Sequence, residues 1–408
     1  MKILITGAKG FIGKNLIAEL RNQGFTDLLE YDLASMAEDL DSYTRECEFV
    51  FHLAGINRPV NQEDYMTGNF GFTSLLLESL KKYNNKAPIV LTSSTQATLE
   101  NPYGLSKKAC EELITQYGET TGASVFIYRL PNVFGKWCLP HYNSAVATFC
   151  NNIANDLPVH IHDPNTELHL VYIDDVIHSF IDKLSPVIAS PVIASDHCSD
   201  VIASLRSNPE SPVIASLRSN PEFPVIASLR SNPEIVEPQY TKKLSEIVEL
   251  LYQFKESRNS LQTPDMNDTF IKKLYSTYLS YLPKDRFNYP LKTNSNHQGS
   301  FTEFLKSTHS GQVSINISKP HSIKGNHWHH TKAEKFLVVS GKGVIRFRKA
   351  GTNEIIEYFV SGDKSEVVDI PAGYTHHIEN LGETDLVTVI WASEVFDREN
   401  PDTFILKV

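Results

Sequence analysis

The sequence predicts an α/β chain in which a doubly wound parallel sheet is followed by a β-barrel. Up to about residue 182, short apolar runs alternate with amphipathic stretches, as in KILIT then FIGKNLIAELRNQ and FVFHLAG then FTSLLLESLKKY. This alternation is typical of repeated strand–helix units. From about residue 289, short strands such as VSINIS, GVIRFR and LVTVIW follow one another without helices between them. That order favours a barrel or sandwich.

These two sequence patterns divide the 408 residues into domains at 1–284 and 289–408. Before the boundary, Ile247, Leu250, Leu251 and Phe254 recur at i, i+3, i+4 and i+7, which predicts an amphipathic helix. A second helix is expected over 269–282, where Pro283 follows.

A segment at about 185–236 interrupts the first domain with nearly identical copies of VIASLRSNPE in a 12-residue period. Solenoid units are longer and vary between copies, and the Pro in each copy breaks a continuous helix. We interpret the segment as a looped insertion without function, because loop closure costs grow only slowly with length.

Composition excludes several function classes. Apolar residues make up 41% of the chain and charged residues 21%, and the formal net charge is −10. We therefore expect no nucleic-acid partner and no binding to anionic membranes. The five scattered cysteines contain no CxxC pair, which favours a reducing compartment, and the sequence predicts neither a signal peptide nor a membrane span. The expected location is the cytoplasm.

A glycine motif after the first strand predicts a dinucleotide site. Gly7 permits a tight turn, Gly10 lets the backbone approach a pyrophosphate, and Gly13 allows close helix–strand packing. At the end of the second strand, Asp32 is placed to accept a hydrogen bond from a ribose 2′-OH, which favours NAD. An exposed loop carboxylate is an equally good interpretation of Asp32.

The spacing of Tyr103 and Lys107 predicts a catalytic pair, because four residues put phenol and ammonium on one helical face. A lysine charge favours the phenolate, so we expect the tyrosine to exchange a proton near neutral pH. Ser94 ends the buried strand IVLTSS, where its hydroxyl can hold a substrate carbonyl.

Three histidines and a glutamate in the second domain predict a metal centre. His327 and His329 are two residues apart, which puts them on one face if both lie within a strand, and Glu334 follows five residues later. His376 lies in a second block, PAGYTHHIEN. This ligand set suits zinc, iron, manganese or nickel.

Residues 1 to about 180 resemble the extended, sugar-nucleotide-modifying branch of the short-chain dehydrogenase/reductase superfamily, with its Rossmann-like sheet. The resemblance implies that Tyr103 is the general acid/base, that Lys107 lowers its pKa and holds the nicotinamide ribose, and that Ser94 binds the reacting oxygen. Asn132, in RLPNVFG, is implied to lie near the sugar nucleotide, although a loop-stabilising amide is an equal alternative. The implied cofactor-binding residues are Gly7, Lys9, Gly10, Phe11, Ile12, Gly13, Asp32, Leu53, Ala54, Gly55, Tyr103 and Lys107.

The two histidine blocks are similar to the two motifs of the cupin superfamily, whose fold is a jelly roll like that of RmlC. A reductase domain fused to a cupin, with GNHWHHTKAEKFLVVSGKGVIRFR, resembles the CapF-type bifunctional capsular polysaccharide synthesis enzymes. The resemblance implies that a metal-dependent cupin, with Zn²⁺ as the expected ion, epimerises C3 of a UDP-2-acetamido-2,6-dideoxy-hexos-4-ulose. The reductase then yields UDP-2-acetamido-2,6-dideoxy-L-talose, towards UDP-N-acetyl-L-fucosamine. The expected assembly is a homodimer.

Several alternatives stay open at this point. The resemblance implies NADPH, for which Lys9 offers a charge, whereas Asp32 favours NADH. A non-catalytic cofactor sensor would not need the Tyr103–Lys107 pair. A single-activity epimerase or dehydratase with an accessory cupin is a further alternative, although Thr95-Gln96 stands where dehydratases typically carry two carboxylates.

Overall fold

The computed structural model describes residues 1–184 and 233–408. They form two compact units, Met1–Asn152 with Pro158–Ile247, and Ile153–Leu157 with Val248–Val408. The predicted repeat insertion lies outside the described residues except for its last four positions. The domain boundary near residue 285 stays a prediction.

The first unit contains the predicted parallel sheet, with strand order β2-β1-β3-β4-β5. Every residue of β1, β3 and β4 is buried, as expected for strands covered on both faces. The order reverses at β1, so the loops after β1 and β3 open the crevice where such sheets bind ligands. The elements are β1 (Ile3–Thr6), α1 (Phe11–Asn22), β2 (Leu28–Tyr31), α2 (Ala37–Glu46), β3 (Phe49–His52), α3 (Phe72–Lys82), β4 (Ile89–Ser94), α4 (Pro102–Thr121) and β5 (Val125–Leu130).

A smaller sheet of three strands, β6-β7-β8, completes this unit. Its elements, with the two helices between its strands, are β6 (Asn132–Phe134), α5 (Ala145–Ala154), β7 (Glu167–Tyr172), α6 (Ile173–Ile181) and β8 (Gln239–Lys243). The helices predicted from the apolar stripe and before Pro283 are present as α7 (Leu244–Ser260) and α8 (Thr269–Leu279).

The second unit contains two antiparallel sheets, ordered β16-β13-β18-β11-β10-β9 and β15-β14-β17-β12-β19. Side chains of both sheets form one apolar cluster, in which Phe336 and Leu386 meet Ile345 and Ile378. The predicted succession of strands is present as two antiparallel sheets, and closure into a barrel stays a prediction. The strands are β9 (Thr293–Asn296), β10 (Gly299–Ser307), β11 (Gly311–Ser318), β12 (Ile323–Trp328), β13 (Glu334–Ser340), β14 (Lys342–Lys349), β15 (Ile355–Ser361), β16 (Val367–Ile370), β17 (Tyr374–Asn380), β18 (Leu386–Ala392) and β19 (Phe404–Ile405).

Strand β11 carries polar residues on its buried face. Gln312, Ser314, Asn316 and Ser318 alternate with half-buried apolar residues and are themselves buried. Buried polar side chains are costly unless they are paired, so this face belongs to a polar interior rather than to the apolar core. Within the described ranges, no helix has both the length and the apolar character that a membrane span requires.

Candidate active sites

The glycine loop after β1 packs closely against neighbouring backbone and leads into a helix N-terminus. Gly7 has φ +70°, and a Cβ added there would lie 2.8 Å from the backbone nitrogen of Ala54. A Cβ on Gly13 would lie 2.3 Å from the carbonyl oxygen of Gly7. Helix α1 begins after Gly10 with no side-chain cap and no acidic residue in its first turn, so its N–H groups face the crevice uncompensated. These features fit a pyrophosphate.

Asp32 holds the glycine loop in place. Its Oδ2 accepts from the backbone N–H of Lys9 at 2.7 Å, and its Oδ1 accepts from the N–H of Leu33 at 2.8 Å. The Lys9 side chain is exposed. The carboxylate therefore lies beside the predicted dinucleotide crevice, and both of its oxygens already have backbone donors.

Ser94, Tyr103 and Lys107 come together at the carboxyl end of β4. Ser94 is the last residue of that strand, and α4 begins at Pro102, so one helical turn separates the other two side chains. Lys107 is 6% exposed, its Nζ lies 5.9 Å from the centre of the Tyr103 ring, and it donates to the carbonyl of Thr92 at 3.1 Å. The structure thus groups the three residues that the sequence singled out.

Burial dominates the titration of this group. It raises the pKa of Tyr103 to about 12, although a hydrogen bond with Ser94 acts in the opposite direction. Burial also lowers the pKa of Lys107. Burial is the largest influence on this phenol, and the depression of the tyrosine pKa expected from the lysine stays a prediction.

Sequence reasoning missed Asn69, which connects the loop after β3 to helix α4. This buried amide accepts from the N–H of Ile56 at 2.7 Å and donates to the Ser106 hydroxyl at 3.0 Å. A Cβ on Gly55 would lie 3.0 Å from Lys107 Nζ and 3.2 Å from Asn69 Oδ1. Gly55 therefore leaves room for both side chains, and no local motif marks the asparagine.

Asn132 lies on β6, exposed, and its amide nitrogen donates to the carbonyl of His169 at 3.2 Å. This bond joins β6 to β7, which is the loop-stabilising use that the sequence analysis left open. A contact with a sugar nucleotide stays a prediction.

The four predicted metal ligands converge in the second unit. One potential ligand atom from each of His327, His329, Glu334 and His376 lies within 4.8 Å of all the others. Glu334 Oε2 lies 3.4 Å from His329 Nε2 and 3.3 Å from His376 Nε2. Only His327 lies within β12, with a register shift at the positive-φ Gly325, and His329 comes just after the strand ends. The convergence was predicted correctly, but not the placement of both histidines within one strand.

The donor set fits a divalent cation. The buried Nε2 of His329, Oε2 of Glu334 and both ring nitrogens of His376 have no hydrogen-bond partner among the described residues. Burial lowers the pKa of His327 to about 4, which keeps its imidazole in the neutral form that binds metals. Burial works against ionisation of Glu334, but His329 and His376 hold the pKa of its carboxyl well below the usual range.

The tail segment near Asp402 supports this cluster from outside. The Asp402 carbonyl oxygen accepts a hydrogen bond from Nδ1 of His329, so the Nε2 lone pair faces the other ligands. The Asp402 carboxylate accepts from the backbone N–H groups of His330, Thr331 and Lys332, each at 2.8 Å. These bonds hold the loop between His329 and Glu334 in one conformation.

A cavity of about 700 Å³ opens beside the four ligands. Its walls include the polar face of β11, two lysines and two glutamates outside the ligand set. These residues are Gln312, Ser314, Asn316, Lys324, Lys332, Glu303 and Glu394. A cavity of this size, with a polar wall beside a candidate cation site, suits an oxygen-rich ligand.

The two halves of the chain match two known families. The family model described as NAD dependent epimerase/dehydratase family matches residues 3–182, and the one described as polysaccharide biosynthesis C-terminal domain matches residues 294–404. UDP-2-acetamido-2,6-beta-L-arabino-hexul-4-ose reductase of Pseudomonas aeruginosa is 41% identical over 408 residues, which is 100% of this chain and 99% of that protein.

Two solved structures match over the full length. The crystal structure of capsular polysaccharide assembling protein CapF from Staphylococcus aureus is 46% identical, with a TM-score of 0.84 and 100% coverage of both chains. The crystal structure of CapF with the inhibitor 3-isopropenyl-tropolone is 43% identical, with a TM-score of 0.79 and the same coverage.

Proposed function

This chain belongs to the CapF-type family of capsular polysaccharide enzymes, and we propose that it acts twice on one UDP-sugar. It is a nicotinamide-dependent sugar-nucleotide oxidoreductase by family. The proposed reactions are epimerisation at C3 of a UDP-2-acetamido-2,6-dideoxy-hexos-4-ulose in the second unit and reduction of its C4 ketone in the first. The product, UDP-2-acetamido-2,6-dideoxy-L-talose, leads towards UDP-N-acetyl-L-fucosamine. The observation that carries the proposal is that one chain holds both a Ser–Tyr–Lys group and a His₃Glu cluster.

Epimerisation follows from the acidity of the hydrogen next to a ketone. The C3–H electron pair becomes the C3–C4 double bond of an enolate, and a proton returned to the opposite face inverts C3. The cavity offers a polar wall to orient the sugar and two carboxylates, Glu303 and Glu394, to accept the proton. A divalent cation, when bound by the His₃Glu cluster, supplies positive charge that favours the enolate.

Reduction removes the ketone that made epimerisation possible. A reduced nicotinamide, when bound, supplies the hydride for C4. The Ser94 hydroxyl holds the C4 oxygen, and Tyr103 donates a proton to it as the alkoxide forms. The raised pKa of Tyr103 keeps the phenol protonated, which suits a proton donor. Lys107, held by Thr92, places a positive charge beside that proton.

The proposed cofactor is NADPH, with NADH as the alternative. The exposed Lys9 side chain is available for a 2′-phosphate, and Asp32 is occupied in holding the loop. Turnover measured with each cofactor at equal concentration decides between them.

We also propose a homodimer that forms through an edge strand. Strand β15 is the outermost strand of its sheet and exposes Ile355, Tyr358 and Phe359, with Phe359 at 68%. An unpaired edge with large apolar side chains favours pairing with a second chain. Light scattering on the purified protein, with Phe359→Lys for comparison, tests this; the variant is expected to be monomeric.

Incubation of the keto-sugar nucleotide in deuterated water tests the central proposal. Without nicotinamide, wild-type protein is expected to introduce deuterium at C3; with NADPH, it is expected also to oxidise the cofactor. Tyr103→Phe should lower cofactor oxidation at least ~100-fold and leave exchange intact, because the proton donor is lost. His376→Asn should lose exchange.

Two neighbours provide matched controls. Tyr65→Phe removes a hydroxyl from the ring whose centre lies 5.6 Å from that of Tyr103. His377→Asn replaces the imidazole next to His376; the His377 ring contacts Asn326. Both should retain activity within about threefold. Cofactor oxidation without deuterium at C3 would show that the enzyme is only a reductase. Deuterium at C3 without cofactor oxidation would show that it is only an epimerase. If the protein shows neither activity, the result would favour a cofactor sensor.

A further inference from the structure

Two lysines line the cavity, and their ammonium groups are partnered differently. Lys324 donates to Asn316 Oδ1 at 2.9 Å, to the Ile317 carbonyl at 2.8 Å and to the Ser300 carbonyl at 3.3 Å. Its three N–H bonds are therefore used. Lys332 Nζ donates to Thr403 Oγ1 at 2.9 Å, and among residues 1–184 and 233–408 no carboxylate forms an ion pair with it. Two of its N–H bonds remain for a ligand.

Lys332 is fixed at the metal-ligand end of this cavity. It lies in the loop between His329 and Glu334, and the Asp402 carboxylate binds its backbone N–H. Its side chain lines the same cavity as His327, Glu334 and His376. An oxygen atom of a ligand that approaches the cluster therefore comes within reach of the ammonium.

Burial of this charge requires compensation. Lys332 is 6% exposed, and a buried ammonium without an anion is unfavourable. Leucine or methionine would fill the same space without that penalty. The position of the charge is thus best explained by an anion that is present only during function.

We propose that Lys332 is a catalytic residue of the second unit, which donates a hydrogen bond to the C4 oxygen of the keto sugar. This inference rests on the proposed epimerisation. As a base of the cavity removes the C3 proton, the C–H electron pair forms the C3–C4 double bond and the carbonyl π pair moves to O4. The ammonium stabilises that negative charge, keeps its own protons throughout, and releases O4 when C3 is protonated again from the other face.

Binding of the UDP diphosphate is the competing role for the same ammonium, and kinetics separate the two. A group that stabilises the enolate acts mainly in the transition state, so its loss lowers kcat for exchange. A group that binds diphosphate acts in the ground state, so its loss raises KM and leaves kcat unchanged.

The test measures C3 deuterium incorporation against substrate concentration, without nicotinamide, for Lys332→Met and Lys332→Arg. Zinc content and the melting temperature are measured on the same zinc-loaded samples. We expect Lys332→Met to lower kcat for exchange about 100-fold with wild-type zinc content and melting temperature. Lys332→Arg should recover about tenfold. Lys335→Met is the matched control, because this lysine pairs with Asp369 and is exposed, and it should behave as wild type.

Thr403→Val tests the position of the Lys332 ammonium, because it removes the hydroxyl to which Lys332 donates. It should lower kcat about fivefold. If Lys332→Met fails to fold, this variant decides alone, and an unchanged kcat overturns the proposal. Three results for Lys332→Met also overturn the proposal. They are deuterium exchange at the wild-type rate, a change in KM without a change in kcat, and loss of zinc. If wild-type protein exchanges no deuterium at C3, the proposed epimerase function fails, and the role of Lys332 falls with it.

Discussion

Burial, rather than neighbouring charge, is the largest influence on the pKa values of Tyr103 and Lys107 in the first unit. Tyr103 and Lys107 are both shifted towards their neutral forms, by the same cause. The sequence pattern identified the pair, because a spacing of four residues is local information. It could not reveal the sign of the tyrosine shift, which depends on how much protein from distant segments surrounds the phenol.

His52 is a fully buried histidine that couples stability to pH. Burial, followed by the Lys107 charge, lowers its pKa from 6.5 to about 3. Its Nδ1 lies 2.7 Å from Thr6 Oγ1 and its Nε2 lies 2.9 Å from Thr73 Oγ1, so the neutral ring links β3 to β1 and α3. The unfolded chain binds a proton below about pH 6.5 and the native chain does not, so this contribution to stability is lost as pH falls from 6.5 towards 3.

We therefore expect His52→Gln to flatten the acid side of the stability curve. The wild-type free energy of unfolding should fall between pH 7 and pH 4 by on the order of a few kcal/mol more than that of the variant. Urea titrations across this range measure the difference. His160→Gln, which alters an exposed histidine, should retain the wild-type slope. A wild-type slope in His52→Gln would contradict the prediction.

Among the structural elements, the sequence predicted the strands and ligands that follow a local pattern. It did not predict contacts made by segments distant in the chain. Alternation predicted β11, β14 and β18, and the histidine blocks predicted the ligand set. The tail at Asp402 carries no periodic pattern, yet it orients His329 across more than seventy residues of sequence. The burial of the polar face of β11 was not predicted for a similar reason. Alternation of polar and apolar residues indicates that a strand has two different faces, but it does not say which one faces a cavity.

The packing of α1 on β1 requires that position 13 carries no side chain. A Cβ on Gly13 would lie 2.3 Å from the Gly7 carbonyl oxygen and 2.7 Å from that of Ala8, and backbone atoms cannot move aside cheaply. Gly13→Ala should therefore cost about 1–3 kcal/mol of unfolding free energy and weaken nicotinamide binding at least ~10-fold, because α1 must shift away from the loop.

Gly71→Ala is the control for this substitution. Gly71 is helical, with φ −61°, and an added Cβ would have its nearest neighbour at 4.0 Å. Denaturant titration and cofactor titration by fluorescence, carried out on both variants, measure the two effects. Equal stability and affinity in the two variants would show that α1 tolerates a side chain at position 13.

At the scale of the whole molecule, the described chain leaves and rejoins the first unit at one place. Leu184 is buried, and near the end of the interpreted insertion the backbone N–H of Glu234 donates to the Ile127 carbonyl of β5 at 2.7 Å. Lys183 pairs with Glu234 at 2.9 Å. The last residues of the interpreted insertion are therefore held beside the residues that precede it, through the contacts of Glu234.

Excision of residues 185–232, with a short Gly-Ser linker in their place, should accordingly leave the enzyme intact. The ends are already adjacent, and loop closure depends only weakly on length, so we expect the melting temperature to change by less than about 3 °C. Exchange at C3 and ketone reduction should each stay within about twofold of wild type. A second variant, with a Gly-Ser segment of the original length, separates the effect of length from that of the repeated sequence. Loss of either activity in both variants would show that VIASLRSNPE itself contributes to function.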